Sequence, residues 1–305
     1  MGKVAFLFAG QGSQYTGMGK SLCEASPAAA AVFSLADSIR PGTSAQCFEG
    51  SAEELAVTIN TQPCLYCVDL AAAEALREAG IHPDAVAGFS LGEVAALTFA
   101  GAFSAENGFT LVCERAKLMN PASEESQSGM VAILKLSPEQ VVEVCEREGD
   151  SYPINFNCPG QIVAATLRSK KESLAAAVKA AGGRAVPLAV SGGFHSPFMQ
   201  SASDGLRQVL ANLPMEAPAI PVYANATAAP YEGADREMPA RQLVSPVYWE
   251  KTLRRLWADG FTTFVEVGAG KTLSGFVKKT LPEAVIVNVE DAESLGKAME
   301  TLKGV

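Results

Sequence analysis

One short stretch constrains the fold of this chain more than any other: a serine between two glycines, where an apolar run meets a helix-forming run. Ser90 stands between Gly88 and Gly92, with the apolar residues 85–87 before them and residues 93–97 after them. A turn that passes so quickly from strand to helix has no room for side chains beside the serine, which explains the flanking glycines. The stretch predicts a strand–turn–helix unit from which the Ser90 hydroxyl projects.

Two interpretations of Ser90 remain open from this stretch alone. The hydroxyl would lie at the N-terminus of a helix, where free backbone N–H groups and the helix dipole favour developing negative charge, as a nucleophile requires. Glu93 follows three residues later, however. Serine with glutamate at this spacing also fits a capping box that only starts the helix.

Composition limits the class of protein. The chain has 305 residues, of which 48% are hydrophobic and 19% charged. That is enough to bury a sizeable core. The first residues lack a signal-peptide pattern and no apolar run reaches membrane-spanning length, so we expect a cytoplasmic protein with no membrane partner. The net charge of −9 argues against nucleic-acid binding.

The cysteines give no sign of a metal or redox site. Seven cysteines are an odd number for a disulfide framework, and only Cys64 and Cys67 form a C-x-x-C pair. No second pair exists and the chain has two histidines, so we expect both thiols to face the core and no metal to bind.

Strand and helix signals alternate along most of the chain, which predicts an α/β body with a parallel sheet. A polar stretch at 121–129 interrupts this alternation, and the order β-α-β-β-α-β follows, which is a ferredoxin-like unit. We therefore expect a large α/β-hydrolase-like subdomain from 1–124 and 197–305, with a ferredoxin-like subdomain inserted at 125–196. A ligand cleft should lie between the two.

A serine nucleophile needs a base, and the chain offers two histidines. His82 lies in a turn at the far end of the strand that leads to Ser90, so we expect a surface residue. His195 lies in the glycine-rich bend 191–197, where the chain would return to the large subdomain and face the cleft. Alone it could be a structural histidine, but beside an exposed serine it is the candidate base.

The glycine-rich loop after the first strand offers a second component. Its glycines, Gly10 and Gly12, do not have the spacing of a phosphate-binding loop or of a dinucleotide fingerprint. Such a loop beside a nucleophile can instead present backbone N–H groups to an oxyanion, and the amides of Gln11 and Leu91 would form the pair. Arg115, on a helix near Ser90 in sequence, is either a surface arginine or a bidentate carboxylate ligand at the cleft floor.

Taken together, these motifs resemble the malonyl-CoA:acyl carrier protein transacylases, the stand-alone acyltransferases of type II fatty acid synthesis. The resemblance extends over nearly the whole chain. Its matching stretches are residues 10–14, 61–63, 88–93, Arg115 with 118–119, 155–161, 194–197, 242–243, 246–247 with Trp249, and 266–271.

The resemblance implies ping-pong transfer of malonyl from malonyl-CoA to the phosphopantetheine thiol of acyl carrier protein, without a cofactor. Ser90 would be the nucleophile and His195 its base, oriented by the Gln242 carbonyl rather than by an aspartate. Arg115 would bind the malonyl carboxylate, with Gln11 beside the acyl group.

The resemblance further implies that Phe194 and Asn157 contact substrate, and Phe194 fits malonyl rather than methylmalonyl. Phe89 departs from the family, in which histidine often precedes the nucleophile. A thioester hydrolase with the same Ser90–His195 pair and a non-catalytic carrier-binding scaffold are the alternatives. We expect a monomer, and the resemblance leaves fatty acid or polyketide carriers open.

Overall fold

Nine strands and fourteen α-helices make up the part of the chain that the computed structural model describes, residues 2–188, 190 and 192–303. The strands are β1 (Lys3–Phe8), β2 (Ala85–Gly88), β3 (Ser128–Leu134), β4 (Ser151–Cys158), β5 (Gln161–Leu167), β6 (Arg184–Pro187), β7 (Val222–Tyr223), β8 (Phe261–Val267) and β9 (Val285–Val289). The helices are α1 (Lys20–Ala25), α2 (Pro27–Ile39), α3 (Thr43–Glu49), α4 (Ala52–Ala56), α5 (Thr58–Glu78), α6 (Gly92–Phe99), α7 (Ala105–Glu125), α8 (Pro138–Glu148), α9 (Lys171–Ala180), α10 (Gln200–Asn212), α11 (Glu237–Gln242), α12 (Trp249–Ala258), α13 (Thr272–Thr280) and α14 (Ala292–Leu302).

The larger sheet is parallel throughout, in the order β7-β2-β1-β8-β9. Helices cover both faces, so β1 reads as an unbroken apolar run and is buried from Val4 to Phe8. The rings of Phe6 and Phe8 on one face pack against Phe99 of α6, with centroids 5.9 and 5.7 Å apart. The helix that follows the Ser90 turn is thereby held against the centre of the sheet.

The smaller sheet is antiparallel, in the order β4-β5-β3-β6, with α8 and α9 in its connections. This is the strand order of a ferredoxin-like unit. The predicted fold class, a parallel α/β body with a small ferredoxin-like unit, is confirmed.

Several predicted boundaries were wrong. The sequence over 17–35 predicts a single helix, but the structure has two, α1 and α2, because Ser26 caps α2 by accepting a hydrogen bond from Ala29 N and Pro27 occupies its first turn. The predicted polar boundary at 121–129 is mostly helix: α7 continues through Pro121 to Glu125. The apolar residues at 220–225 predict a strand, of which the structure forms only the two residues of β7. The last strand of the ferredoxin-like pattern is predicted over 184–189; in the structure it ends at Pro187, and Ala189 lies outside the described residues.

The small sheet is joined to the rest of the molecule through β4. Val247 N, just before α12, donates to Ile154 O at 2.7 Å, and Phe156 N of β4 donates to Val247 O at 2.9 Å. A cavity of about 360 Å³ opens between the sheets beside this junction. No helix in the described ranges is long and apolar enough to cross a membrane.

Candidate active site

Ser90 occupies a tight turn between β2 and α6. Its φ is +56°, in the left-handed region that residues other than glycine rarely adopt. A Cβ on Gly88 would collide with the main chain of Gly92, and one on Gly92 with the carbonyls at the end of β1. Both flanking glycines are therefore required by the close approach of main chains, as the sequence predicted.

The capping-box alternative for Ser90 is wrong. The N-cap of α6 is Leu91, and among the described residues no side chain caps this helix. The Glu93 carboxylate is used elsewhere: it accepts hydrogen bonds from Asn225 N and from the Tyr231 hydroxyl, each 2.6 Å long. The Ser90 hydroxyl is therefore free to face the cavity.

His195 lies against the Ser90 hydroxyl. Ser90 Oγ is 2.7 Å from His195 Nε2, and His195 Nδ1 is 2.9 Å from the main-chain oxygen of Gln242. When Nδ1–H donates to that carbonyl, Nε2 is left to accept the serine proton. The other histidine, His82, is exposed in the turn before β2, as expected. Ser191, in the bend that leads to His195, lies outside the described residues.

The surroundings keep the imidazole neutral. Burial, and second the positive charge of Arg115, lower the pKa of His195 to about 4, although the Gln242 carbonyl acts in the opposite direction. His195 is 3% exposed. A neutral imidazole within hydrogen-bond distance of a serine hydroxyl is a group that can take up its proton at neutral pH.

Arg115 is buried at the floor of the cavity, which rules out the surface-arginine interpretation: its exposure is 1%. Its Nη1 donates to Gln62 Oε1 at 2.5 Å, and its Nη2 donates to Gln242 Oε1 at 2.9 Å and to Ser90 Oγ at 3.3 Å. Within the described residues, Nε has no hydrogen-bond partner. Burial lowers the pKa of Arg115 to about 10, so the guanidinium remains charged at neutral pH.

Three polar side chains at this site were not predicted from the sequence. Gln62 holds Arg115, the Gln242 side chain bridges Arg115 to the Ser90 carbonyl, and Asn225 accepts from Ser90 N at 2.8 Å. Asn225 follows β7, the neighbour of β2. Polar residues just beyond the carboxyl ends of parallel strands are a recognisable signal, but β7 is too short to stand out in the sequence.

Of the two residues whose amides are predicted to bind an oxyanion, Gln11 lines the cavity and Leu91 directly follows Ser90, which also lines it. Leu91 precedes the first residue of α6, and Gln11 follows Gly10, whose Cα approaches the Phe89 carbonyl so closely that a Cβ would clash. In the described part of the chain, neither backbone N–H has a hydrogen-bond acceptor. The Gln11 side chain contacts Thr58 Oγ1 at 3.4 Å.

The cavity has contributions from both sheets. Phe194 and Asn157, expected at the substrate, line it, and Asn157 Oδ1 is buried without a partner among the described residues. The Phe89 ring packs edge-on against Trp249, with 5.4 Å between ring centroids, and borders the same cavity.

Cys64 and Cys67 are buried, as predicted. The described residues contain no cluster of His, Cys, Asp or Glu suited to a metal ion.

The sequence matches the model of one protein family, described as acyl transferase domain, over residues 5–304. The chain belongs to this acyl transferase family. The resemblance inferred from the motifs is confirmed. Among curated relatives, the malonyl CoA-acyl carrier protein transacylase of Bacillus subtilis is 42% identical, over 99% of this chain and 98% of the relative.

Solved structures agree with this assignment. The malonyl CoA-acyl carrier protein transacylase of Clostridium perfringens superimposes with a TM-score of 0.95 at 35% identity, covering 99% of this chain and 98% of that one. A malonyl-transacylase in complex with a holo type II polyketide acyl carrier protein gives a TM-score of 0.94 at 34% identity, covering 98% and 99%.

Proposed function

We propose that the protein transfers malonyl from malonyl-CoA to the phosphopantetheine thiol of an acyl carrier protein through an ester on Ser90. One observation carries the proposal: the Ser90 hydroxyl lies between a neutral imidazole at 2.7 Å and a buried guanidinium at 3.3 Å. The imidazole can activate the hydroxyl, and the guanidinium can bind the free carboxylate of a malonyl group. Relatives named for this reaction support it.

In the first half-reaction His195 Nε2 takes the Ser90 proton as Oγ attacks the thioester carbonyl. The carbonyl oxygen becomes an oxyanion, which the amides of Leu91 and Gln11 stabilise; loss of one such donor costs about two to three orders of magnitude in turnover. The carbon–sulfur bond then breaks, the imidazolium returns its proton to the leaving thiolate, and CoA departs. The malonyl ester remains on Ser90.

In the second half-reaction the carrier thiol takes the place of CoA. His195 accepts the thiol proton, the sulfur attacks the ester carbonyl, and Ser90 leaves with the proton that the imidazolium returns. Arg115 holds the malonyl carboxylate through both halves, and Phe194 and Asn157 contact the acyl-thioester arm. The Gln242 carbonyl keeps Nδ1 protonated, so Nε2 remains the acceptor throughout.

Some properties of the protein follow from this reaction. The malonyl group arrives as a thioester that is already activated and leaves as another thioester, so we propose that no cofactor takes part. All site residues come from one chain, which is sufficient for a monomer. The seven free thiols suit a reducing compartment such as the cytoplasm.

We also propose that the chain divides into a large subdomain of 1–124 and 197–305 and an insert of 125–196. The four antiparallel strands, with α8 and α9, fall within the proposed insert. Residues Phe194 and His195 would then lie where the insert returns to the large subdomain, beside Ser90.

Intact mass spectrometry tests the function. The protein is mixed with malonyl-CoA, and a phosphopantetheinylated carrier protein is added afterwards. We expect a gain of one malonyl group that is absent in Ser90→Ala and that moves to the carrier. Rapid loss of the group to water would identify a hydrolase, and no adduct at all would contradict the role of Ser90.

A further inference from the structure

Asn225 holds the Ser90 turn through two hydrogen bonds of its side chain. Its Oδ1 accepts from Ser90 N at 2.8 Å, and its Nδ2 donates to Gly88 O at 2.7 Å. The carboxamide thus bridges the residues on either side of Phe89, across the turn. Asn225 is fully buried and does not line the cavity, so it cannot contact substrate itself.

Further hydrogen bonds with neighbouring residues fix the orientation of Asn225. Its backbone N–H donates to Glu93 Oε2, and the Tyr231 hydroxyl donates to Glu93 Oε1, each at 2.6 Å. Gln242 Nε2 donates to the Ser90 carbonyl at 3.0 Å and lies 3.4 Å from Asn225 Oδ1. The same Gln242 also contacts Arg115 and, through its carbonyl, His195.

We propose that Asn225 is a positioning residue for acyl transfer: its carboxamide holds Ser90 in the left-handed turn that aims Oγ at His195. Ser90 has a positive φ, which is strained in a residue other than glycine, and such a conformation persists only where neighbouring contacts enforce it. The two hydrogen bonds of Asn225 supply that restraint. The bond from Ser90 N–H to Oδ1 also occupies that amide, so on the Ser90 side the Leu91 amide is the one left to bind the oxyanion.

This proposal rests on the acyl transfer proposed above, and its test follows formation of the malonyl-Ser90 ester in single-turnover experiments. Asn225→Ala removes both hydrogen bonds. Because a small misplacement of a reacting atom costs up to about a hundredfold in rate, we expect acylation to slow by about tenfold to a hundredfold. The KM for malonyl-CoA should stay within about twofold, because Arg115 and the cavity wall are unchanged.

Asn225→Asp provides a readout that a purely structural role would not produce. A buried carboxyl beside the Gly88 carbonyl favours its protonated form, which can accept from Ser90 N and donate to Gly88 O as the carboxamide does. We expect this variant to acylate faster than Asn225→Ala at low pH. It should lose that advantage as the pH rises and the introduced carboxyl ionises.

Asn288→Ala in β9 is the matched control, because it makes the same substitution at a half-buried position of the same sheet away from Ser90. Rates are normalised to the folded fraction from circular dichroism. Any one of three results would overturn the proposal. Asn225→Ala could acylate at the wild-type rate, or the control could lose as much acylation rate as Asn225→Ala does. The third result is a pH profile of acylation in Asn225→Asp that runs parallel to that of the wild type. If Asn225→Ala does not fold, the pH profile of Asn225→Asp decides.

Failure of the proposed function is distinguishable from failure of this inference. If the wild-type protein forms no malonyl ester, the function is wrong. The rate at which a fluorophosphonate labels Ser90 then replaces acylation as the measure of Oγ positioning. The same order, wild type fastest and Asn225→Ala slowest, is expected with this probe, and equal labelling rates would refute the positioning role.

Discussion

At the scale of single residues, Arg115 and His195 influence each other across the Ser90 hydroxyl. The guanidinium is 3.3 Å from Oγ, and the imidazole lies 2.7 Å from the same atom. Burial is the main cause of the low pKa of His195, and the positive charge of Arg115 adds to it. A malonyl carboxylate on Arg115 would cancel part of that charge, so the correct substrate would itself make the base stronger.

The titration of His195 tests this coupling. In a His82→Gln background, which leaves one imidazole signal for NMR, we expect the His195 pKa near 4. Arg115→Met removes the second cause of the depression, so the pKa should rise toward the ordinary value of about 6.5 without reaching it, since burial remains. An unchanged pKa in Arg115→Met would show that the two groups are not coupled.

Stability should follow the same titration. The unfolded chain binds a proton at His195 below about pH 6.5, whereas the folded protein resists it until the pH falls to about 4. His195 therefore makes the free energy of unfolding decrease as the pH falls through this window.

Reasoning from the sequence anticipated which side chains lie together where a residue type carries its own chemistry. Ser90 and His195 could be paired because one is flanked by glycines at a turn and the other has a single rival. Asn225 could not be found, because an amide acts here only through three-dimensional neighbours that are more than a hundred residues away in sequence. The capping box with Glu93 stayed open as an alternative for the same reason: the partners of Glu93, Asn225 and Tyr231, are equally distant.

At the scale of elements, the Ser90 turn depends on how closely α6 approaches β1. Gly92 is the first residue of α6, and its Cα lies against the carbonyls of Phe8 and Ala9 at the end of β1. The helix cannot withdraw without breaking the packing of Phe99 on the sheet. The glycine is therefore required by helix–strand packing as well as by the turn.

Gly92→Ala should accordingly be among the most damaging small substitutions in the chain. The added methyl meets backbone atoms that cannot move aside, so we expect a loss of about 2 kcal/mol or more in the free energy of unfolding. Gly296→Ala in α14 is the matched control: nothing lies near its Cβ, and alanine should stabilise the helix by about 0.5–1 kcal/mol. Urea denaturation measures both. A neutral Gly92→Ala would mean that α6 can shift away from β1.

At the scale of the whole molecule, alternating strand and helix signals predicted the fold class, because each element carries its own periodicity. The helix α7 shows the limit of this reasoning. A polar run with a proline at 121 looks like a linker, yet Ala122 and Ser123 are buried and the helix continues to Glu125. Packing against neighbouring elements keeps this polar run helical, and the sequence of the run alone does not reveal that packing.

The ferredoxin-like unit contributes to the site by forming part of the cavity between the two sheets. Strands β3 and β5 supply one wall, and the Ser90 side supplies the other. Ala132, on β3, is the smallest side chain of that wall. Ala132→Phe should narrow the space for the acyl-thioester arm and lower kcat/KM for malonyl-CoA by about tenfold or more. Val142→Phe, on the exposed face of α8, adds the same ring away from the cavity and should leave kcat/KM unchanged. If Ala132→Phe remains folded and fully active, the substrate does not pass along β3, and the wall contributed by the small sheet has another purpose.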